Sequence, residues 1–409
     1  MEKTEHAIGA KKSNKGSHFE RWQKVLVICF LVYLTGFFLA PNGEVQQRWF
    51  YYTVTIIASF MLILKAKSIF SDPDSKTLTP VTIITILLAI PFLWTEDSNY
   101  LRTVRIGLEQ WLFVFSFCLS IFYAWKEPKT ITKTIPNIIM VCAGIALILY
   151  FHKILSIHKF ENVSGALALS SNPNQTGMPF GAAAMLALSR THLSTKKKTK
   201  ALWLIFGLLL ASATIFSSAR SAMLGLAVGT STLLYLKTRN RYLFVIPALG
   251  AILFSAFIFF HYEHPLHEIL SGRSEIWLHM WEKFKNHPVF GIGGSRSYAV
   301  IIAPYLNGGH IKLEAHSLYF ALAYYAGVYG VLIFGSLLFI SLKRGQSASH
   351  ESRYIFIPLL AYGLSVQIFE GLYPIYVPHP FWLFTWLPIS ILALSHEETN
   401  KTDQQETRP

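Results

Sequence analysis

The sequence predicts an all-α, polytopic integral membrane protein of about twelve transmembrane helices with one larger external loop subdomain. Three observations carry this. Hydrophobic residues make up 52% of the 409 and charged residues only 14%, where soluble domains carry about 25% charged; the mean hydropathy is +0.40. The apolar residues gather into runs of the length a hydrocarbon core demands, about 20 residues with a range of about 17–25. The 36 basic residues cluster between those runs. A net charge of +14 on a soluble chain would suggest nucleic acid. Spaced this way it sets topology, and no nucleic-acid partner is expected.

The elements follow in order. Residues 1–24 form a basic, polar tail without the short apolar core and cleavage site of a signal peptide, so the first run, Val25–Ala40, is read as an anchor that stays. Trp49–Leu64, Leu78–Trp94, Ile106–Trp125 and Ile135–Phe151 are continuous apolar runs. Thr176–Leu188 is the weakest: short, and holding Gly177, Pro179 and Gly181, it reads as a broken or re-entrant helix, which is allowed where its backbone faces protein or a wet cavity. Ala201–Phe216, Ser221–Leu236 and Tyr242–Phe260 bring the count to nine, so residues 25–260 hold helices one to nine. Residues 261–316 form the longest external stretch. Within it Ile276, Trp277, Met280, Trp281 and Phe284 recur at helical spacing and predict an amphipathic helix on the membrane. Ser317–Leu342, Ile355–Tyr376 and Pro380–Leu394 complete the set (317–394) before a polar tail, 395–409. With both termini in the cytoplasm, 25 of the 36 basic residues fall on the cytoplasmic side, as the positive-inside rule requires. Dropping the sixth run would put Lys196–Lys200 outside.

Basic residues on the external side run against that rule and mark candidate sites. Arg220 sits in Ser217-Ser218-Ala219-Arg220-Ser221, the turn between the seventh and eighth runs, with no acidic residue within ten positions on either side. It reads either as an interfacial anchor or as a cation in a wet cavity that binds an anion. Arg273, in Ser271-Gly272-Arg273, opens the amphipathic helix, with Ser271 as its cap; backbone N–H groups and the helix dipole favour an anion there. A solvated arginine paired with Glu275 or Glu268 is the alternative. His316 falls where the external loop enters the tenth run; an imidazole there suits a general base, or is an ordinary interfacial histidine. Seven of the 15 histidines lie in 261–316, so zinc is the rival reading. HExxH is absent and no cysteine is near, and no metal or other cofactor is expected. Gly291-Ile292-Gly293-Gly294 lacks a surrounding βαβ unit and reads as a tight turn rather than a nucleotide loop. Cys29, Cys118 and Cys142 lie in apolar runs and read as buried hydrophobes.

The ordered set Asn172-Pro173-Asn174, Ser218-Ala219-Arg220-Ser221, Gly272-Arg273 with Trp277, His287-Pro288-Val289-Phe290-Gly291-Ile292-Gly293, and His316-Ser317-Leu318-Tyr319 with Gly327 and Gly330 resembles the bacterial O-antigen ligase and polymerase superfamily, most closely the ligases. The resemblance runs from about His152 to Glu370. Ser317 is a departure, since many relatives carry asparagine after the histidine. The resemblance implies an inner-membrane glycosyltransferase of lipopolysaccharide biosynthesis whose active site faces the periplasm. It would transfer a glycan from undecaprenyl diphosphate to a sugar hydroxyl of lipid A–core, with inversion and without metal or nucleotide sugar. It places the phosphate-binding arginines at Arg220 and Arg273 and the essential histidine at His316. Glu370 and Asn174 are supporting candidates. The alternatives are a polymerase using the same lipid-linked donor and a lipid-linked glycan transporter. The transporter would need ionisable residues along a mid-membrane path, and the sequence gathers its charges at the outer ends instead.

Overall fold

A computed structural model describes residues 2–40, 43–71, 75–95, 99–157, 173–240, 273–294, 299–302 and 311–395. They form a bundle of helices: α1 (Glu2–Leu39), α2 (Gly43–Phe50), α3 (Ile56–Ser71), α4 (Ser75–Ala89), α5 (Tyr100–Ala124), α6 (Ile135–Ile157), α7 (Pro173–Leu193), α8 (Lys197–Phe216), α9 (Arg220–Thr238), α10 (Arg273–Asn286), α11 (Leu318–Ser347), α12 (His350–Val366) and α13 (Trp386–Ala393). A π-helical turn, Tyr51–Thr55, joins α2 to α3. Two four-residue strands, β1 (Ala299–Ile302) and β2 (Ile311–Glu314), pair antiparallel in the register Ala299↔Glu314. This strand pair is the one sheet among the described residues, and β1 is built on the β-branched run Val300-Ile301-Ile302.

Seven stretches among the described residues are long and apolar enough to cross a membrane: Phe19–Leu39, Gly43–Ser71, Ser75–Trp94, Tyr100–Ala124, Thr130–Lys153, Lys197–Phe216 and Leu318–Ser347. The sequence suggested twelve. The ninth, Tyr242–Phe260, lies outside the described residues. The sixth and eighth form helices of 21 and 19 residues that are long enough but not apolar enough, while the eleventh and twelfth form helices of 17 and 8 residues that are too short. The eleventh is shorter than expected. Helix α12 stops at Val366, and residues 367–379 run irregularly because Pro374 and Pro378 cannot donate within a helix. This irregular stretch is nonetheless buried at Gln367, Glu370, Leu372, Tyr373 and Ile375. Non-helical backbone at such depth is tolerated where protein satisfies it: Leu318 N–H donates to the Gln367 carbonyl at 3.0 Å, and Trp386 Nε1 to that of Pro374 at 2.9 Å.

The less apolar helices form the interior. Every residue from Thr176 to Ala187 of α7 is buried. Helix α12 packs against both α7 and α9. Gly225 and Gly229 bring α9 close: a β-carbon at 225 would stand 2.6 Å from Val366, and one at 229 would stand 3.1 Å from the Pro358 carbonyl. Small residues four apart are how helices approach without a hydrophobic drive between them. The pairings fix direction. Gly225 lies by Val366, while Tyr354 Oη donates to the Leu236 carbonyl at 2.7 Å. Likewise Tyr362 Oη donates to Met178 at 2.7 Å, while the His192 and Tyr354 rings stack at 4.7 Å. So α7 and α9 both run antiparallel to α12. The start of α9 and the residues after α12 therefore share one end of the bundle.

Helix α11 breaks at Gly327, whose φ of +63° and ψ of −157° are open to glycine. The segment 288–293 enters that break. Val328 and Tyr329 donate to the carbonyls of Pro288 and Val289 at 2.9 and 3.0 Å, and Ile292 and Gly293 donate to those of Tyr324 and Tyr325, both at 3.0 Å. The two lost helical pairs are thus replaced by four bonds to the inserted segment, which leaves no orphaned amide at the kink. The turn expected at Gly291–Gly294 is present, and it is also the device that ties the end of α10 to the middle of α11.

Candidate functional site at one end of the bundle

Helix α10 carries Ile276 and Met280 into the core at 2% and 1% exposure. Trp277 Nε1 donates to the Ala315 carbonyl at 2.9 Å, and its ring stacks on Phe320 with centroids 5.0 Å apart. Trp281, expected on the same face, is exposed and stacks on Phe284 instead. The apolar face of α10 is thus narrower than its spacing suggested. Arg273, the first residue of the helix, is carried along by this anchoring.

His316 follows β2 with a left-handed φ of +48°, a backbone state that costs a non-glycine residue about 1–3 kcal/mol and persists only where its surroundings enforce it. They do so on both sides. The Ala315 carbonyl is held by Trp277, and Ser317 caps α11 by accepting from Phe320 N–H at 3.5 Å. Serine and asparagine cap helices about equally well, so the departure at Ser317 preserves the local structure.

Arg273 and His316 meet on a shared partner. The carboxylate of Glu370, only 5% exposed, pairs through Oε1 with Arg273 Nη2, and its Oε2 lies 3.4 Å from His316 Nδ1. The segment bearing Glu370 is seated on the start of α11, since a β-carbon at Gly371 would crowd Leu318. Glu314 lies next to this cluster. The residue as a whole is exposed, yet desolvation pushes its carboxyl above the ordinary glutamate range; Glu370 adds to that rise and His316 opposes it. Glu314 is not among the candidate residues that the sequence singles out. Its spacing from His316 carries no readable signal, because β2 ends at Glu314 and the chain turns to a left-handed φ at His316.

The other candidates are placed as follows. Arg220 is exposed on the first residue of α9, at the end of the bundle that holds Glu370. Asn174 lies in the first turn of α7. A β-carbon at Gly177, one turn on, would touch Ala219, so that turn adjoins the α8–α9 connection. Ser218 there has φ +56°. Arg273, His316 and Glu370 therefore form one cluster, and Arg220 and Asn174 lie on neighbouring helix starts at the same end. His261, His264, His267 and His310 lie outside the described residues, as do Ser271 and Glu268. Among the described residues no group of three histidine, cysteine, aspartate or glutamate side chains is placed to hold a metal. Gln367, Tyr373, Tyr376, His379 and Trp386 line a small pocket that is partly open to solvent. His379, in the connection before α13, is pushed down to about 4 by burial.

The fold and this cluster define a polytopic helical membrane protein with a charged centre at one end of its bundle. Residues 205–335, about a third of the chain, match the family model described as O-antigen ligase. The matched span includes Arg220, Arg273 and His316 and ends before Glu370. No curated protein matches the chain.

Proposed function

We propose that this protein is a membrane glycosyltransferase that moves a glycan from undecaprenyl diphosphate to a sugar hydroxyl of lipid A–core, on the periplasmic side of the bacterial inner membrane. The observation that carries the reading is the convergence of Arg273 and His316 on buried Glu370 in a chain whose residues 205–335 match the O-antigen ligase family model.

The chemistry is an inverting displacement. The acceptor oxygen attacks the anomeric carbon as the bond from that carbon to the diphosphate oxygen breaks, and the electron pair leaves with the lipid diphosphate. His316 takes the acceptor proton. With Nδ1–H donated to Glu370, Nε2 carries the free lone pair that a base needs. Negative charge grows on the bridging oxygen, and the arginine forks of Arg220 and Arg273 meet it with charge-assisted, bidentate hydrogen bonds. Arg273 spends one edge on Glu370; its remaining N–H donors face the diphosphate. Asn174, beside the α8–α9 turn, supports the glycan or the phosphate. No metal or soluble cofactor enters this scheme.

Reconstitution of the purified chain with lipid-linked glycan and separate acceptors tests the reading. Glycan appearing on lipid A–core supports the ligase. Lengthening of the lipid-linked chain alone assigns the polymerase. Lipid moved across vesicles with no glycosidic bond formed would replace both with a transporter.

A further inference from the structure

The opposite end of the interior helices carries a second charged cluster with no part in the scheme above. Tyr354 of α12 is its hub. His192 of α7 stacks on its ring at 4.7 Å and 27°, His350 lies 4.3 Å from it, and the Arg353 guanidinium sits 5.6 Å over it. The Tyr354 hydroxyl bonds to Leu236, next to Lys237. Arg190 reaches from the end of α7 to the Thr132 carbonyl. Desolvation first, and then Lys237, His350 and Lys200, hold the His192 imidazole below its ordinary range. Glu351 faces Arg190 and is the one carboxylate acting on either residue among the described groups.

Lys200, Lys237, Arg190 and Arg353 outnumber that single carboxylate, and a further anion among them would offset their repulsion. A second observation asks for the same partner. Arg190 Nε, Arg353 Nε and the hydroxyl of Ser189, itself 0% exposed, are buried without a hydrogen-bond partner among the described residues. Buried donors in folded proteins are nearly always satisfied, and a guanidinium N–H is costly to leave unmade. Lys200, Lys237 and His350 are exposed, so the cluster opens outward at the bundle end. Basic clusters at a membrane boundary, between helix ends, hold lipid headgroups by the same electrostatics.

We infer that the ends of α7, α9 and α12 around Tyr354 form a phosphate-binding site occupied by the headgroup of an anionic membrane phospholipid. The phosphodiester sits against the Lys237, His192 and His350 donors, and entry of the headgroup brings an acceptor to the unmatched guanidinium groups. The acyl chains then run along the lipid-facing side of α8. This site lies at the far end of the bundle from Glu370 and does not depend on which glycan the protein transfers.

The test uses the full chain purified in a neutral detergent and titrated with phosphatidylglycerol, with phosphatidylcholine, or with inorganic phosphate, read by thermal midpoint and by co-purifying lipid in mass spectrometry. Phosphatidylglycerol is expected to raise the midpoint and to stay bound, and phosphatidylcholine to do neither. Each cation near a headgroup is worth about fivefold in affinity. Lys200→Gln/Lys237→Gln should therefore weaken phosphatidylglycerol binding by on the order of twentyfold, and His192→Asn by a smaller factor. Lys65→Gln/Lys67→Gln, which removes two exposed charges from α3, is the control and should change binding less than twofold. Equal weakening in the two double variants would reduce the effect to bulk surface charge and overturn the site. So would an equal response to phosphatidylcholine, or no response to any additive. A full response to inorganic phosphate that Lys200→Gln/Lys237→Gln abolishes would keep the phosphate site and reassign its occupant to a soluble anion.

Discussion

Helices α7 and α8 are neighbours in sequence, pack against each other, and were read from sequence with opposite clarity. Helix α8 is strongly apolar and turns Leu202 (67% exposed), Ile205 and Leu208 outward. Helix α7 holds glycine, proline and alanine and is buried from Thr176 to Ala187. The difference teaches what hydropathy measures. A helix bathed in lipid must be apolar, whereas a helix enclosed by other helices needs small residues for close packing and can carry polar ones where partners satisfy them. The segments that look least like spans are the ones that carry the candidate site: Asn174 and Arg220 lie at the starts of α7 and α9, and Glu370 follows α12.

The comparison can be broken, and the largest expected effects lie at the interior's charged end. His316→Ala should lower transfer by about 10²–10⁴, and Arg220→Ala and Arg273→Ala by about 10²–10³ each, with the protein still inserted and monodisperse. Arg273→Lys should rescue poorly, because a point charge does not replace the fork. Initial rates on lipid-linked glycan measure this, and a fully active His316→Ala would remove the base. Glu370→Gln comes next. If one carboxylate organises both partners, its loss and that of Arg273 should be less than additive, a result a double-mutant cycle in transfer rate reads directly; strict additivity would separate the two residues.

Packing effects follow. Gly225→Leu should destabilise by about 1–3 kcal/mol or more, because the α9–α12 contact has no room for a side chain; Ile205→Ala on the lipid side of α8 should stay within about 0.5 kcal/mol. Thermal midpoints in detergent compare them, and equal losses would erase the distinction between interior and shell. The smallest effect concerns Glu314. A carboxyl raised above its unfolded value favours the folded state fully below the ordinary glutamate range, and that contribution disappears as pH rises through the raised value. Glu314→Gln should therefore leave the midpoint unchanged near pH 4 and raise it slightly at pH 7. A lower midpoint at pH 7 would mean that the charged form is held favourably in the fold.

Much of this was legible in the sequence for physical reasons. The lipid-facing runs and the basic clusters obey constraints that act locally along the chain. Arg273 and His316 stood out as external charges at helix starts. Their meeting on Glu370 was not legible, because it joins residues 97 and 54 positions apart through the irregular segment after α12, where hydropathy suggested an unbroken helix. The four-residue strands were too short to register as a pattern. The Gly225–Gly229 pair was a readable small-residue signal that the span count alone did not use. The count of twelve weighed hydropathy and charge, and these cannot tell a complete crossing from a short helix sheltered by its neighbours.

The segment 288–293 and the kink at Gly327 share their backbone bonds, which ties the melting of two distant stretches together. The amides of Ile292 and Gly293 cannot be released without freeing the carbonyls of Tyr324 and Tyr325, and those of Val328 and Tyr329 lose their acceptors in the same event. Hydrogen exchange should therefore find these four amides opening as a single unit, so that one turn of α11 behaves as part of the external loop while the turns on either side of it exchange as ordinary helix.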